Sequence, residues 1–436
     1  MQFRHQQEQT FCVDRQGRAT SFGLLAAQID CRTAELKQLG LGSVALYFNS
    51  SRLFSVALMA SLNAGLRVVI LPNALPATLT DLQSEFDLLL TDQQLTTAVA
   101  HQVWQWLQAL PEAAFDYQLA ASASLQVFTS GSTGKPKGVS KSLANLQAEL
   151  EDLSSLFAAR SKNAVALSSV SHQHLYGLLF KVLWTLFYAR PFVEEQLQFP
   201  EDLPEQPAVL ISSPALLKRL CSPLPQEKRP KLIFSSGGAL DLAAAQQCSI
   251  LLGCWPFEIY GSTETGGIAL RQQKTPRSLW LPLPRVRVRQ HQDQQRLEIL
   301  SPYCSPDRWL LTDDRVQLMP AGFELLGRVD RIVKIEEKRV SLTQVEQVLQ
   351  GCLPIGAQVR VIPWQMGKRQ VLAAIIAASG ELRRQIDVKQ LSVILAEHVE
   401  SVAVPKKWQM VEYLPLNSMG KVERKSLEQL LQLGAA

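Results

Sequence analysis

The sequence lacks several features that would mark a secreted, membrane-spanning or nucleic-acid-binding protein. Its seven cysteines form no C-x-x-C pair and no metal-like spacing, so we expect reduced thiols in a cytoplasmic protein. Every long apolar run is broken by polar residues, and the first ten residues, MQFRHQQEQT, do not resemble a secretory signal. We therefore expect no transmembrane segment. No lysine- and arginine-rich block with interleaved aromatic residues indicates contact with nucleic acid.

An excess of charge of one sign is absent from most of the chain. Residues 1–330 contain 29 Lys and Arg and 29 Asp and Glu, whereas residues 331–436 contain 15 and 10. The last part of the chain therefore carries the whole net charge of +5. An ordinary solvated surface would give this balance, and so would a face that binds an acidic partner.

The length and composition predict a large globular domain followed by a smaller one. The chain has 436 residues, of which 47% are apolar and 19% charged. Stretches with helical spacing, such as residues 22–39 and 143–157, alternate with short apolar runs. The strand-like runs are residues 44–48, 68–71, 88–90, 165–167, 192–193, 209–211, 232–234 and 257–260. This alternation predicts an α/β fold with mostly parallel sheets.

Two segments lie outside this regular alternation. Residues 92–119 are rich in Gln and Ala, and we predict that they are helical. Beyond residue 312 the pattern changes to hairpins and a smaller α+β stretch. We place the domain boundary near Asp330, which gives domains of residues 1–329 and 330–436.

The most distinctive stretch is residues 129–138, TSGSTGKPKG, which follows a strand-like run. Its glycines, hydroxyl groups and two lysines can direct backbone N–H groups and positive charge toward an anion. A flexible linker has a similar composition, but it would not stand between a strand and a helix. A Walker-type loop requires Gly at the position of Thr129 and Ser or Thr at the position of Pro136. We therefore predict a phosphate-binding loop of another kind.

This loop resembles the signature loop of the adenylate-forming superfamily, which contains acyl- and aryl-CoA ligases, peptide-synthetase adenylation domains and luciferases. Further matches follow in the family's order: SGGA (residues 236–239), YGSTETGG (260–267), GRVDR (327–331) and LPLNSMGKVER (414–424). The resemblance covers nearly the whole chain. It implies a large N-terminal α/β domain with mostly parallel sheets and a small mobile C-terminal α+β domain, with ATP and Mg²⁺ as cofactors.

The resemblance also implies which residues bind ATP. They are Thr129, Ser130, Gly131, Ser132, Thr133, Gly134, Lys135, Lys137, Gly237, Gly238, Ala239, Tyr260, Gly261, Asp314 and Arg328. Tyr260 would stack on the adenine. Asp314 and Arg328 would contact the ribose.

Four residues are the implied catalytic group: Lys421, Thr263, Glu264 and His174. Thr263 would reach the α-phosphate, and Glu264 would hold Mg²⁺, a hard cation that takes one or two carboxylates beside phosphate oxygens. Lys421 would stabilise the negative charge that spreads as a carboxylate attacks the α-phosphorus. His174 matches the family's His-x-x-Gly signature near the acyl carboxylate. A purely structural role is the alternative for His174, and the role of His172 is open.

The implied reaction has two steps. The acid and ATP give acyl-AMP and pyrophosphate, and the small domain then rotates at Asp330 and admits a phosphopantetheine thiol. Ser213, Ser236 and Ile268 are expected to border a pocket small enough for an aromatic acid. We expect an acid–thiol ligase for an aryl acid, such as a hydroxybenzoate or hydroxycinnamate, with an acyl carrier protein as acceptor.

Departures from the family's motifs bear on that acceptor. Glu337 stands where the family has a glycine beside the pantetheine tunnel, Asp313 replaces a glycine, and Leu143 replaces a histidine. Together with the basic C-terminal region, Glu337 favours a carrier protein. The alternatives are a ligase that uses free CoA and a non-catalytic nucleotide-binding protein of the same fold.

Overall fold

The computed structural model describes residues 2–130, 136–199, 202–203, 207–220, 222–292, 295–335, 338–367, 369–417 and 422–433. At positions 129, 130, 136, 330, 332, 334, 338 and 339 only the backbone is described. No helix in these ranges is both long enough and apolar enough to cross a membrane.

Strands and helices alternate through the first two thirds of the described chain. The strands are β1 (Gln2–His5), β2 (Thr10–Val13), β3 (Ala19–Ser21), β4 (Ser43–Tyr47), β5 (Arg67–Ile70), β6 (Leu88–Thr91), β7 (His101–Val103), β8 (Phe115–Gln118), β9 (Ser124–Ser130), β10 (Pro136–Ser142), β11 (Val165–Ser168), β12 (Phe192–Val193), β13 (Ala208–Ser212), β14 (Leu232–Ser235), β15 (Phe257–Ser262), β16 (Gly266–Arg271), β17 (Leu281–Pro282), β18 (Arg287–Gln290), β19 (Arg296–Ser301), β20 (Ser305–Met319), β21 (Gly322–Arg328), β22 (Ile332–Ile335), β23 (Lys338–Ser341), β24 (Gln358–Met366), β25 (Arg369–Ala377) and β26 (Lys407–Val411).

The helices are α1 (Phe22–Leu39), α2 (Ser51–Asn63), α3 (Pro76–Leu82), α4 (Leu143–Phe157), α5 (Leu175–Gly177), α6 (Trp184–Tyr188), α7 (Pro214–Leu217), α8 (Leu242–Leu252), α9 (Leu342–Cys352), α10 (Gly380–Arg384), α11 (Val388–His398) and α12 (Arg424–Leu433). A π-helical turn, Leu178–Leu183, joins α5 to α6. Short 3₁₀ turns lie at Gln83–Glu85, Gln226–Lys228, Val329–Arg331 and Ser401–Ala403.

The chain forms two compact units. The first comprises the residues up to Ser278 together with Pro282–Val286 and Ser301–Arg308, and the second comprises Leu279–Leu281, Arg287–Leu300 and the residues from Trp309 onward. The second unit thus contains β18 and most of β19–β21 as well as the chain after Asp330. The functional boundary at Asp330 remains a prediction.

Two sheets organise the first unit. One has the strand order β10-β9-β5-β4-β6-β7, and its internal pairs are parallel except for the antiparallel β9–β10 pair. The other runs β17-β16-β15-β14-β13-β11-β12-β2-β3, in which the β15–β16 and β2–β3 pairs are antiparallel. Apolar side chains of this second sheet pack on α8. Ile233 of β14 and Cys248 and Leu252 of α8 are fully buried there. This architecture confirms the predicted α/β class with mostly parallel sheets.

The second unit contains smaller sheets. Strands β18–β21 lie in sequence order in one sheet, and β22 pairs with β23. A further sheet has β25 between the antiparallel β24 and the parallel β26. Its apolar faces are covered by α9, α11 and α12, whose Val345, Leu395 and Leu431 are buried. The predicted α+β character of the C-terminal part is confirmed.

Helix α4, which follows β10, begins where its sequence predicts. Ser142 Oγ accepts a hydrogen bond from the Asn145 N–H at 3.1 Å, and the Asn145 side chain bonds back to the Ser142 backbone. This capping box satisfies N–H groups that would otherwise have no partner in the first turn. Asn145 Nδ2 also donates to the carbonyl of Pro302 at 2.7 Å. Ser142 and Asn145 therefore start the helix.

The helix predicted for residues 92–119 is wrong. The segment contains β7 and β8, and no helix is found in it. In β8, Phe115 and Tyr117 are buried and alternate with the exposed Asp116 and Gln118. This period of two is the pattern of a strand with one buried face, and it outweighs the helix-favouring Gln and Ala content.

Candidate functional site

A sharp turn between β15 and β16 carries Thr263 and Glu264. Ser262 N donates to Thr265 Oγ1 at 2.9 Å, and Thr265 N donates back to Ser262 Oγ at 3.3 Å. Gly261 lies in a bulge of the antiparallel pair, where an added Cβ would stand 2.2 Å from the carbonyl oxygen of Gly266. Only glycine fits this approach. Thr263 and Glu264 are consequently held at the tip, half-buried and next to solvent.

Lys137 of β10 lies beside this tip. Its Nζ is 3.7 Å from Glu264 Oε1, and the two side chains are 66% and 40% exposed. Such an exposed ion pair contributes little to stability. It does bring together a cation of the predicted phosphate-binding stretch and the carboxylate predicted to hold Mg²⁺. Two motifs far apart in the sequence therefore meet in one place. Tyr260 and Gly261 belong to β15, the strand that leads into this turn.

Several predicted site residues lie outside the described part of the structure. They are Gly131, Ser132, Thr133, Gly134 and Lys135 of the phosphate loop, and Lys421 near the C-terminus. Thr129 and Ser130 are described by their backbone, which pairs with Lys137 and Pro136 across the β9–β10 ladder. On either side of Lys421, Leu416 and Val422 form an antiparallel bridge. Glu337 is likewise outside the described residues, and of Asp330 only the backbone, in the 3₁₀ turn, is described.

The turn after β14 contains the predicted adenine-side residues. Ser236 N donates to the Ser212 carbonyl at 3.3 Å, and Ser236 Oγ donates to the Ile259 carbonyl at 2.9 Å. Gly237 has a φ of +84°, a conformation that favours glycine. Gly237, Gly238 and Ala239 are exposed, and a Cβ on Gly238 would meet only Pro214, at 3.8 Å. The turn is an open backbone surface against which a planar group can lie.

The two histidines of the SHQH stretch differ in their surroundings. His172 is buried, its Nε2 donates to the Phe48 carbonyl at 3.0 Å, and its ring lies 4.8 Å from that of Phe54. Burial lowers the pKa of His172 to about 3, so the ring is neutral at pH 7. These contacts give His172 a structural role. His174 is half-buried and immediately precedes α5.

The glycine of the His-x-x-Gly signature has a steric explanation. An added Cβ on Gly177 would stand 2.1 Å from the carbonyl oxygen of Ser171. The backbone before His174 therefore folds directly onto Gly177, which fixes the histidine's position relative to the π-helical turn that follows. Whether His174 contacts an acid remains a prediction.

The three predicted pocket residues differ in their surroundings. Ser213 lines a cleft of about 310 Å³ at the carboxyl ends of β11 and β13. The cleft is also lined by Ser169, Gln196, Leu197, Gln198, Phe199, Ala215, Leu216 and Arg219. Ser236 is adjacent in the fold, since its N–H bonds to Ser212. Ile268 is 1% exposed in β16 and is not among the residues that line this cleft.

The predicted ribose contacts lie in the second unit. Asp314 and Arg328 face each other across the β20–β21 ladder, and Arg328 Nη1 is 3.9 Å from Asp314 Oδ1. Arg328 Nη2 is also 3.6 Å from Asp313 Oδ2, and Arg296 Nη2 is 2.8 Å from Asp313 Oδ1. Asp313, which replaces a family glycine, therefore adds a carboxylate to this cluster. The structure brings the two predicted residues together.

The residues present fit Mg²⁺ bound through phosphate. Within the described ranges, no group of three or more His, Cys, Asp and Glu side chains is arranged to cage a metal ion. Mg²⁺ is usually held by one or two carboxylates, waters and substrate phosphates. The accessible carboxylate of Glu264, beside the cation of Lys137, is a donor of the kind that such binding uses.

A buried polar cluster behind the turn was not predicted. Lys141 Nζ donates to the carbonyl of Glu264 at 2.7 Å and to that of Tyr303 at 3.0 Å. Glu149 Oε1 accepts from the Gly267 N–H at 2.7 Å. Burial raises the pKa of Glu149 to about 7 and lowers that of Lys141, while their mutual attraction acts in the opposite direction on each.

Comparison with known proteins agrees with the motifs. The AMP-binding enzyme family matches residues 1–302. A 4-coumarate–CoA ligase from Cereibacter sphaeroides is 26% identical over 299 residues, which are 67% of this chain and 69% of that protein. A 3,4-dihydroxybenzoate–[aryl-carrier protein] ligase from Bacillus anthracis is 24% identical over 317 residues, 71% of this chain and 74% of that protein.

Solved structures share the fold. O-succinylbenzoate coenzyme A synthetase from Bacillus subtilis in complex with AMP gives a TM-score of 0.80 at 20% identity, covering 97% of this chain and 95% of that one. The same synthetase with ATP and magnesium ion gives 0.74 at 20% identity, covering 97% of each chain.

The chain belongs to the AMP-binding enzyme family, whose match extends over more than half of its length. It is an adenylate-forming enzyme of the acid–thiol ligase class, to which the named CoA ligases among its relatives belong.

Proposed function

We propose that the enzyme activates an aryl carboxylic acid, such as a hydroxybenzoate or hydroxycinnamate, with ATP. The products of this first step are acyl-AMP and pyrophosphate. The observation that carries the proposal is the 3.7 Å approach of Lys137 Nζ to Glu264 Oε1. It supplies, at one place, a cation for phosphate oxygens and a carboxylate for the Mg²⁺ that accompanies them.

Each residue of the site has a role in that step. Glu264 would hold Mg²⁺, which neutralises phosphate charge when bound, and Thr263 would donate its hydroxyl to the α-phosphate. Lys137 and the loop 129–135 would bind the outer phosphates. The turn formed by Gly237, Gly238 and Ala239 would flank the adenine together with Tyr260, and Asp314 and Arg328 would bind the ribose. His174 would orient the acid, and Lys421 would stabilise the transition state.

The cleft beside Ser213 is our candidate for the acid pocket. Its volume of about 310 Å³ is at the lower end of the range for small-molecule sites, which favours an aromatic acid over a long acyl chain. Leu197, Phe199 and Leu216 offer an apolar wall, and Ser169 and Ser213 offer hydroxyl groups. Ser236 would border it, since its N–H bonds to Ser212, the neighbour of Ser213, whereas Ile268 would act from behind the site.

Acid-dependent pyrophosphate release tests the first step. Purified enzyme with ATP and Mg²⁺ is assayed against benzoic, hydroxycinnamic and graded fatty acids, with hydroxylamine present to trap the adenylate. We expect release with one aryl class and a hydroxamate of the same acid. Silence across the panel, with ATP still bound, would favour the non-catalytic alternative, and release with long fatty acids alone would contradict the aryl assignment.

We propose an acyl carrier protein as the acceptor in the second step, in which its phosphopantetheine thiol attacks the carbonyl of acyl-AMP to give the thioester and releases AMP and a proton. The basic region 331–436 supports an acidic protein partner. Relatives include both a carrier-protein ligase and CoA ligases, so free CoA is the alternative. The experiment compares kcat/KM for a holo carrier protein and for CoA, with thioester as the readout. A higher value for CoA would overturn this assignment.

The domain movement is part of the same proposal. Residues 330–436 would rotate about Asp330 between the two steps, withdrawing Lys421. Asp330→Pro should stiffen this point, so that pyrophosphate release continues while thioester formation falls by about tenfold or more. Equal losses in both steps would argue against a pivot at Asp330.

The free thiols of the six described cysteines agree with a cytoplasmic setting for this chemistry.

A further inference from the structure

A charged side chain is buried behind the turn that carries Glu264. Lys141 is 2% exposed, and its Nζ donates to the carbonyls of Glu264 and Tyr303 at 2.7 and 3.0 Å. Burying an ammonium group is unfavourable unless hydrogen bonds and an opposite charge compensate for the lost water. A lysine at this position of β10 therefore has a specific structural consequence, which is to hold two backbone carbonyls.

The compensating charge comes from α4. Glu149 is 4% exposed, attracts Lys141 electrostatically, and accepts the Gly267 N–H at 2.7 Å. Lys141 thus holds the turn at the carbonyl of Glu264, and Glu149 holds it at the N–H of Gly267. The two contacts lie three residues apart, on opposite sides of the turn's last bend. We call Lys141 and Glu149 the turn clamp.

The glycines of the motif are shaped to this carboxylate. A Cβ on Gly266 would stand 2.6 Å from Glu149 Oε2, and one on Gly267 would stand 2.9 Å from Glu149 Oε1. Gly266 also has a φ of +72°, which favours glycine. The turn and the buried carboxylate therefore fit each other closely. Larger residues at either position would push Glu149 away.

The position of Lys141 in β10 explains why it reaches the same residue as Lys137. Residues four apart in a strand project from the same face of the sheet. Lys137 approaches the Glu264 carboxylate from the solvent side at 3.7 Å, and Lys141 bonds to the Glu264 carbonyl from the buried side. One strand thus contacts both the side chain and the backbone of Glu264.

We propose that Lys141 and Glu149 are positioning residues for the nucleotide step, and that they hold the Glu264 backbone where its carboxylate can bind Mg²⁺ on ATP. The inference rests on the proposed function. Preorganised groups lose little freedom on binding, so a loosened turn would bind the metal more weakly. Neither residue contacts the reacting atoms, and both act through Glu264.

The chain offers a matched control for Lys141. Lys181 is also 2% exposed, and its Nζ donates to a backbone carbonyl, that of Glu194, at 2.8 Å. Lys181→Met therefore removes a similarly buried charge and a similar hydrogen bond in the same unit, but that bond is made to Glu194 and not to the turn. Glu149→Gln is a milder second variant, because glutamine keeps an acceptor for the Gly267 N–H.

The first experiment measures ATP binding by calorimetry over a range of Mg²⁺ concentrations. We expect Lys141→Met to raise the Mg²⁺ concentration for half-maximal binding about tenfold, Glu149→Gln about threefold, and Lys181→Met not at all. Equal midpoints in Lys141→Met and wild type, or equal shifts in Lys141→Met and Lys181→Met, would overturn the clamp. If Lys141→Met does not fold, the Glu149→Gln midpoint decides.

The second experiment separates the clamp from the proposed function. Hydrogen–deuterium exchange of the unliganded protein should be faster over residues 260–267 in Lys141→Met, and unchanged there in Lys181→Met. Unchanged exchange in Lys141→Met would contradict the clamp. A wild-type enzyme that binds Mg²⁺ and ATP but activates no acid would instead contradict the proposed function. The Mg²⁺ concentrations for half-maximal ATP binding would still test the clamp in that case.

Discussion

Two turns at neighbouring strands of the same sheet are held in different ways. The turn after β14, residues 236–239, is exposed and fixed by bonds from Ser236 to two backbone carbonyls. The turn after β15, residues 263–266, is held from the buried side by Lys141, which bonds to the Glu264 carbonyl, and by Glu149, which bonds to the Gly267 N–H. The fold therefore places buried polar groups behind the turn that carries Glu264, the residue proposed to bind Mg²⁺. An open backbone surface is sufficient at the other.

The largest effect should come from removing the carboxylate at the tip of the clamped turn. Glu264→Gln keeps the side-chain volume but loses the charge that Mg²⁺ requires, so kcat for pyrophosphate release should fall about 100-fold. The measurement is steady-state release with the preferred acid. Glu227→Gln, on an exposed 3₁₀ turn, is the control. A loss in Glu264→Gln of less than threefold would remove Glu264 from the metal site.

The two turns should also respond differently to one added methyl group. Gly261→Ala places a Cβ 2.2 Å from the Gly266 carbonyl oxygen, so the bulge must distort, and we expect a loss of about 3 kcal/mol in the free energy of unfolding. Gly238→Ala meets only Pro214 at 3.8 Å and should stay within about 0.5 kcal/mol of wild type. Urea denaturation measures both. Equal losses would contradict the contrast between the turns.

The buried carboxyl group of Glu149, behind the clamped turn, should make the protein's free energy of unfolding depend on pH. The folded-state pKa of Glu149, about 7, lies above its ordinary value of 4.5, so the folded protein binds the extra proton between these values. Wild type should therefore lose about 2 kcal/mol from this group as pH rises from 5 to 7, and Glu149→Gln should not. Urea denaturation at each pH measures the difference, which should grow with pH. A constant difference would mean that Glu149 is not held protonated.

His172 provides a test of opposite sign. Its folded-state pKa of about 3 lies below the ordinary 6.5, so the unfolded chain binds the extra proton in that range. Wild type should lose about 2 kcal/mol from this group as pH falls from 6.5 to 5. The free energy of unfolding of His172→Gln, taken relative to that of wild type, should therefore fall as pH rises. The same difference for Glu149→Gln should rise. A pH dependence of the same sign in both variants would invalidate at least one of the two assignments.

A modest effect should come from the hydrogen bonds of the open turn. Ser236→Ala loses the hydrogen bond to the Ile259 carbonyl and should cost about 1 kcal/mol in the free energy of unfolding. The Mg²⁺ dependence of ATP binding should not change, because this turn does not carry the metal carboxylate. Calorimetry with Mg²⁺ titration checks the second point. A shifted Mg²⁺ midpoint in this variant would show that the two turns are coupled.

The sequence predicted the framework because the relevant signals are local. Helices α1 and α4 have the bounds expected from their apolar spacing, and the strands around the site follow from short apolar runs. The resemblance also implied that Lys137 and Glu264 serve one ATP site, and their side chains lie 3.7 Å apart. The helix predicted for residues 92–119 was wrong because their composition was weighed above the period-two pattern that buries Phe115 and Tyr117.

The turn clamp could not be predicted in the same way. Glu149 lies on the face of α4 that also carries Leu146, Leu150 and Leu153, and a charged residue on a buried face is the available signal. Its partners Lys141 and Gly267 are distant in sequence, and only the folded chain shows that they meet. A helix pattern predicts which residues are buried, but it does not identify the groups they face.

The most direct test of the proposed function compares wild type with Lys421→Ala in acid-dependent pyrophosphate release, with Mg²⁺ and ATP saturating. We expect release by wild type with an aryl acid and a rate at least about 100-fold lower in the variant, which should still bind ATP. A variant that released pyrophosphate at the wild-type rate, with the same acid, would contradict the assignment of Lys421 and the mechanism built on it.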